Sequence, residues 1–182
     1  MKYALIIVDM LNDFIEGVLK TDEAINAVKG TKVALEAFRE IGLPVIYVND
    51  SHYRNDFEIK IWGEHAMAGT YGSKVYREIA PRDGEYVIEK HAYSGFFETP
   101  LDTILRANKV DSVMLAGLDA DICVRHTAAD AFFRGYSIYV IRDAVAARID
   151  RAWEQYFTRV YGAKIINSSD VKSIIGNERG SA

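Results

Sequence analysis

The chain is poor in cysteine and proline: of its 182 residues one is cysteine, Cys123, and three are proline. A single thiol allows no internal disulfide and no cage of thiolates around zinc, so the composition points to a reducing compartment. Positive charge is not concentrated anywhere. With a formal net charge of −4 and no basic block, a nucleic-acid partner is not expected. Long hydrophobic runs are missing as well. The N-terminal run YALIIV stops at Asp9, too short for a signal peptide or a membrane span, so a cytoplasmic protein without a membrane partner is expected. No repeat and no Pro/Gly/Ser-rich linker divides the chain. Its 49% hydrophobic and 26% charged residues are ordinary usage for one soluble domain, expected to span residues 1–182.

Short apolar runs rich in Val and Ile alternate with longer segments of helical period, the pattern of βαβ units on a parallel sheet with both faces covered. The strand candidates are residues 3–9, 44–50, 85–90, 111–117, 136–141 and 163–167. Helices are expected over 22–42, with Ile25, Val28, Val33, Leu35 and Phe38 on its apolar stripe and Gly42 as its C-cap, and over 100–108, 121–135 and 149–161. The stripe of the 121–135 helix takes in Ala128, Ala131 and Phe132. Residues 51–84 break the rhythm. This polar excursion, carrying Trp62, Gly63, Gly69 and Gly72, is long for a plain connection, and long ordered excursions are usually functional.

Open parallel sheets bind ligands outside the carboxyl ends of their strands. Asp9, Asp50 and Lys90 stand at such ends, and the segment after Gly117 leads to Cys123. A free cysteine can be a buried filler. A nucleophile is the alternative at this rim, where a helix N-terminus and a neighbouring lysine favour the thiolate and lower the thiol pKa. Asp9, ending an apolar strand, has a pKa raised by desolvation and suits a proton acceptor; as a plain capping or turn residue it would have no such role. The N–H groups of the turn before Cys123, and of Cys123 itself, are candidates for an oxyanion hole.

The segments IIVDMLNDF, VIEKHAYSGFFETPLD and AGLDADICVRHTAADAFFRGY resemble the three signature segments of the isochorismatase-like cysteine hydrolases, the superfamily of nicotinamidase/pyrazinamidase and N-carbamoylsarcosine amidase. The resemblance covers residues 3–146. It implies a three-layer, doubly wound, six-stranded, mainly parallel sheet with helices on both faces. It implies further that Cys123 is the nucleophile, Asp9 the general base and Lys90 the cation holding both, in an amidase that attacks an amide or ureido carbonyl and releases ammonia through a thioester. A cis peptide between Leu118 and Asp119 is implied, aiming the Asp119 amide at the oxyanion beside that of Cys123. Where the family has a small residue followed by Thr in this turn, the chain has Asp119 and Ala120; an acidic group so near the thiol could raise its pKa or exclude anionic substrates, unless its side chain points to solvent.

Asp50, His52 and His65 resemble the residues that bind a divalent metal in nicotinamidases, and two imidazoles with a carboxylate suit zinc; hydrogen-bonded histidines in a packed loop are the alternative. No organic cofactor is expected. Phe14, Trp62 and Tyr93 are pocket-wall candidates, although aromatics at such positions also serve as core. Arg125 could meet a substrate carboxylate or form a salt bridge on the helix surface, Gly69 and Thr70 shape the loop, and His91 and His126 match no motif position. The family resemblance also implies a homo-oligomer. A different class of function, a metal-binding or redox-sensing protein using Cys123 without turnover, is opposed by Asp9, because a sensor thiol gains nothing from an adjacent proton acceptor.

Overall fold

The computed structural model describes residues 1–176, so the expected domain end at residue 182 lies outside the described residues. Six strands form one sheet: β1 (Tyr3–Val8), β2 (Val45–Asp50), β3 (Tyr86–Lys90), β4 (Ser112–Leu118), β5 (Ser137–Ala146) and β6 (Lys164–Ile166). Their spatial order is β3-β2-β1-β4-β5-β6, and every adjacent pair is parallel. The direction of winding reverses between β1 and β4. That is where an open α/β sheet leaves a crevice at its carboxyl edge.

Strand period sorts the side chains into two cores. Along β1, Tyr3, Leu5 and Ile7 enter one, and Ala4, Ile6 and Val8 the other. The first core is covered by α1 (Asn12–Ile15), α2 (Asp22–Ile41) and α7 (Ser168–Gly176), to which α3 (Ile59–Trp62) contributes nothing. The second is covered by α4 (Leu101–Ala107), α5 (Cys123–Phe133) and α6 (Trp153–Val160). The architecture is thus three layers with helices on both faces, as the resemblance implies. No helix among the described residues is long and apolar enough to cross a membrane.

Helix α2 starts at Thr21, whose side chain accepts the Ala24 N–H, and ends at Gly42 in the left-handed region. Its buried face departs from the expected stripe. Val28, Leu35 and Phe38 are buried, but Ile25 and Val33 are exposed, and Ala24, Ala27, Gly30, Thr31, Ala34 and Ala37 take the core positions. The cause is close approach: a Cβ on Gly30 would come within 2.2 Å of the Asp143 carbonyl oxygen on β5, so this face is built from small residues. Likewise Phe132 is exposed, because α5 meets the sheet through Val124, Ala128 and Ala131. Strand β5 runs five residues beyond its expected end, to Ala146, past an irregularity in its pairing with β4. At that place Gly117, with φ of 119°, lets β4 lie against β1, since a Cβ there would sit 1.9 Å from the Val8 carbonyl oxygen. The excursion 51–84 folds onto the carboxyl edge, carrying α3 and a short 3-10 helix, Arg77–Ile79.

Candidate active site

Asp9 follows β1, Asp50 ends β2, Lys90 ends β3, and Cys123 opens α5 after β4. Four adjacent strands therefore deliver four reactive side chains to one point, all buried. Lys90 Nζ lies 2.8 Å from Asp9 Oδ2 and 2.5 Å from Asp50 Oδ1, and donates to the Ala92 carbonyl at 3.2 Å. Asp9 has φ of 50° and accepts the Asp50 N–H on Oδ1 at 2.7 Å. Oxygens of Asp9 and Asp50 and the Cys123 sulfur all lie within 4.8 Å of one another.

Burial dominates the charges here. Desolvation, reinforced by Asp50, raises the Asp9 carboxyl to about 7 against the pull of Lys90. Burial alone would lower Lys90, yet Asp50 and Asp9 hold it well above its ordinary value, so it stays an ammonium. The thiol corrects the expectation from helix position. Burial pushes Cys123 well above its ordinary value, and Asp9, Asp50 and Glu58 add to the rise against Lys90. This environment favours the protonated thiol, and the Asp9 carboxyl lies within 4.8 Å of the sulfur.

The turn from Leu118 to Cys123 begins with a cis peptide, Leu118–Asp119. The Ala120 N–H is spent on the Ala146 carbonyl, and those of Ile122 and Val124 on the Asp119 carbonyl. Among the described residues the N–H groups of Asp119, Asp121 and Cys123 have no acceptor on another residue, and those of Asp119 and Cys123 are the two that the family resemblance implies for an oxyanion. The Asp119 side chain does not face solvent: it is 3% exposed and accepts the Arg148 Nε–H on Oδ2 at 2.5 Å.

Cys123 opens into a narrow cavity shared with Phe14, Trp62, Tyr93 and Arg148. Trp62 Nε1 donates to the Tyr93 hydroxyl at 3.1 Å, and Phe14 meets His65 edge-on. All three expected wall residues therefore border the cavity. Arg125 does not; its guanidinium lies 3.6 Å from the centre of the Tyr156 ring.

On the other side of Asp50, His52, Glu58 and His65 complete a buried group whose ligand atoms lie within 4.8 Å of one another. Asp50 Oδ2 and His52 Nε2 face each other at 3.5 Å with no hydrogen-bond partner. Each imidazole is anchored through its other nitrogen, His52 Nδ1 to Asp56 Oδ2 at 3.0 Å and His65 Nδ1 to the Gly63 carbonyl at 2.8 Å, the arrangement that frees Nε2 to ligate. Burial, with Asp50 nearby, raises Glu58 to about 8. Burial would lower His52, but Asp50, Asp56 and Glu58 raise it to about 9, while burial lowers His65. Two imidazole nitrogens and two carboxylates, two of their atoms orphaned, fit a divalent cation.

Residues 3–170 match the isochorismatase domain family. The chain belongs to that family. Among its solved isochorismatase relatives is the N-carbamoylsarcosine amidase of Thermoplasma acidophilum, 62% identical, with a TM-score of 0.91 over 92% of this chain and 97% of that one. The pyrazinamidase of Pyrococcus horikoshii, solved in complex with zinc, is 31% identical with a TM-score of 0.82, covering 92% of this chain and 99% of that one. An uncharacterised isochorismatase family protein of Bacillus subtilis, PncA, is 34% identical over 181 residues, covering 91% of this chain and 99% of its own.

Two residues of this isochorismatase-family site escape the sequence reading. Glu58 carries no motif, although an acidic residue six positions after His52 in a long excursion is a signal. Arg148 stands two residues beyond the carboxyl end of β5, where the same strand-end rule that picks out Asp9 and Lys90 would find it. Placing that end at 141 instead of 146 hides it. His91 reaches the site only through Asp56, at 3.2 Å, and His126 lies against the Tyr93 ring.

Proposed function

We propose that the protein is a cysteine amidohydrolase acting on small ureido acids of the N-carbamoyl amino acid class. The observation that carries the substrate class is Arg148, a guanidinium bordering the cavity of Cys123 whose Nη1 donates to no acceptor among the described residues. A carboxylate separated from the ureido nitrogen by one or two carbons is its natural partner. The solved relative at 62% identity, an N-carbamoylsarcosine amidase, supports the same reading.

The reaction follows from the resting protonation. Cys123 Sγ attacks the ureido carbonyl carbon as its proton passes to Asp9, whose carboxyl at about 7 both accepts and returns a proton near neutrality. The carbonyl oxygen gains negative charge against the N–H groups of Asp119 and Cys123. Asp9 hands its proton to the leaving nitrogen, the C–N bond breaks, ammonia departs, and an acyl group remains on sulfur. Water, deprotonated by Asp9, then attacks the same carbon. The C–S bond breaks, the thiol regains its proton, and the carbamate released loses carbon dioxide to give the amino acid. Lys90 stays charged throughout and keeps both carboxylates aligned.

Asp50, His52, Glu58 and His65 would hold a divalent ion, zinc by its preference for nitrogen and carboxylate ligands. Bound there, it would supply positive charge to orient a lone pair or a water. That donor set favours a second reading, a heteroaromatic amide such as nicotinamide. An ammonia-release screen over N-carbamoylsarcosine, other ureido acids, nicotinamide and pyrazinamide separates the two. Preference for the ureido acids, lost in Arg148→Met, is the expected result; nicotinamide turnover indifferent to Arg148 would replace the first reading with the second.

A further inference from the structure

The turn that carries the nucleophile also reaches the opposite way, with two carboxylates directed at the segment after β5. Asp121 accepts the backbone N–H groups of Arg148 at 2.9 Å, Ile149 at 2.6 Å and Asp150 at 2.7 Å. That fixes the main chain of the segment. Asp119 Oδ2 takes Arg148 Nε, and the Leu19 carbonyl takes Nη2 at 2.7 Å. That fixes the side chain and leaves Nη1 free. We propose that Asp119 is a positioning residue for substrate selection, holding Arg148 at a set place relative to Cys123 so that a substrate carboxylate and its ureido carbonyl are engaged together. The inference rests on the reading of this cavity as a ureido-acid site.

The physical argument is preorganisation. Arginine carries large rotamer entropy, and a guanidinium ordered before the substrate arrives spares the complex that cost. Asp119 is 3% exposed, and the Arg148 side chain 17% exposed, so this pair is not a solvent-screened surface bridge. A carboxylate so placed could instead compete with the substrate for the same cation. The two roles predict opposite signs on its removal.

The test is calorimetric binding to the Cys123→Ala protein of two ligands, N-carbamoylsarcosine and its neutral carboxamide analogue. Asp119→Ala should weaken the acid by about 3- to 10-fold, the ordering cost of one rotamer-rich side chain, and change the neutral analogue little. Asp119→Asn, whose side-chain oxygen still accepts the Nε–H, should recover most of the loss. Unchanged or tighter binding of the acid in Asp119→Ala, or equal weakening of both ligands, overturns the proposal. Arg148→Met separates the two levels of argument: weaker binding of the acid with no effect of Asp119→Ala overturns the positioning role alone, and no effect of Arg148→Met overturns the ureido-acid reading together with it. Should Asp119→Ala not fold, Asp119→Ser takes its place, because it keeps a small polar group in the turn but is too short to hold the Arg148 Nε–H. A 3- to 10-fold loss for the acid supports the role; no loss contradicts it.

Discussion

The nucleophile side and the loop side of this site share Asp50 and balance their charges differently. Around Cys123 the charge balance closes within the protein: Lys90 lies 2.8 Å from Asp9 Oδ2, an oxygen that has this ion pair but no hydrogen bond, and 2.5 Å from Asp50 Oδ1. Around His52 the pairing is looser: Asp50 Oδ2 and His52 Nε2 are buried 3.5 Å apart with no hydrogen bond, beside Glu58 and His65. Buried polar atoms left unpaired are costly. The first half is therefore complete as an acid–base device, whereas the second is shaped for a cation that the chain does not itself supply.

The largest effect that tests this difference is in the first half. Asp9→Asn keeps the shape and the N–H acceptor for Asp50 but loses the proton acceptor, and should lower the ammonia-release rate by about two to four powers of ten. A wild-type rate in that variant would show that the thiol finds its base elsewhere. In the second half, Asp56→Asn removes the carboxylate that orients His52, and should weaken the divalent-ion Kd, read by competition with a chromophoric chelator, by about 10- to 100-fold. Cys123 alkylation should not change with it. If the metal affinity is unaffected, His52 is held by packing rather than by Asp56.

The smallest effect concerns the thiol itself. Iodoacetamide modification of chelator-treated protein should show a pH midpoint above about 8.5, the free-thiol value, because burial and the surrounding carboxylates raise Cys123. The sign follows from the protonation: the thiol is the resting form below the raised pKa and reactivity appears only as pH climbs through it. A midpoint below the free value would mean that Lys90 and the helix N-terminus outweigh burial.

What could be read in advance divides along the same line. Residues at strand ends were legible because the apolar runs of β1, β2 and β3 stop abruptly at Asp9, Asp50 and Lys90, and a parallel sheet puts such stops on one rim. Glu58 was not, since a position within an irregular excursion has no period to locate it. Arg148 was not, because the exposed Arg142 and Asp143 break the apolar run of β5 although the strand continues through them to Ala146. The direction of the thiol's pKa is opposite to the one expected from helix position and Lys90, because complete burial beside three carboxylates is not visible in the sequence. Short α1 and α3, four residues each, carry too few residues for a periodic signal.

The central claim is covalent catalysis at Cys123, and rapid-quench mass spectrometry of the enzyme during turnover of its best substrate in the ammonia screen tests it most directly. The account predicts a transient acyl adduct confined to the peptide bearing Cys123, appearing with the first turnover and decaying as substrate is exhausted, and absent together with ammonia release in Cys123→Ala. Ammonia release by Cys123→Ala, or steady turnover of wild-type enzyme with no adduct on that peptide when hydrolysis of the acyl enzyme is slowed, would contradict it.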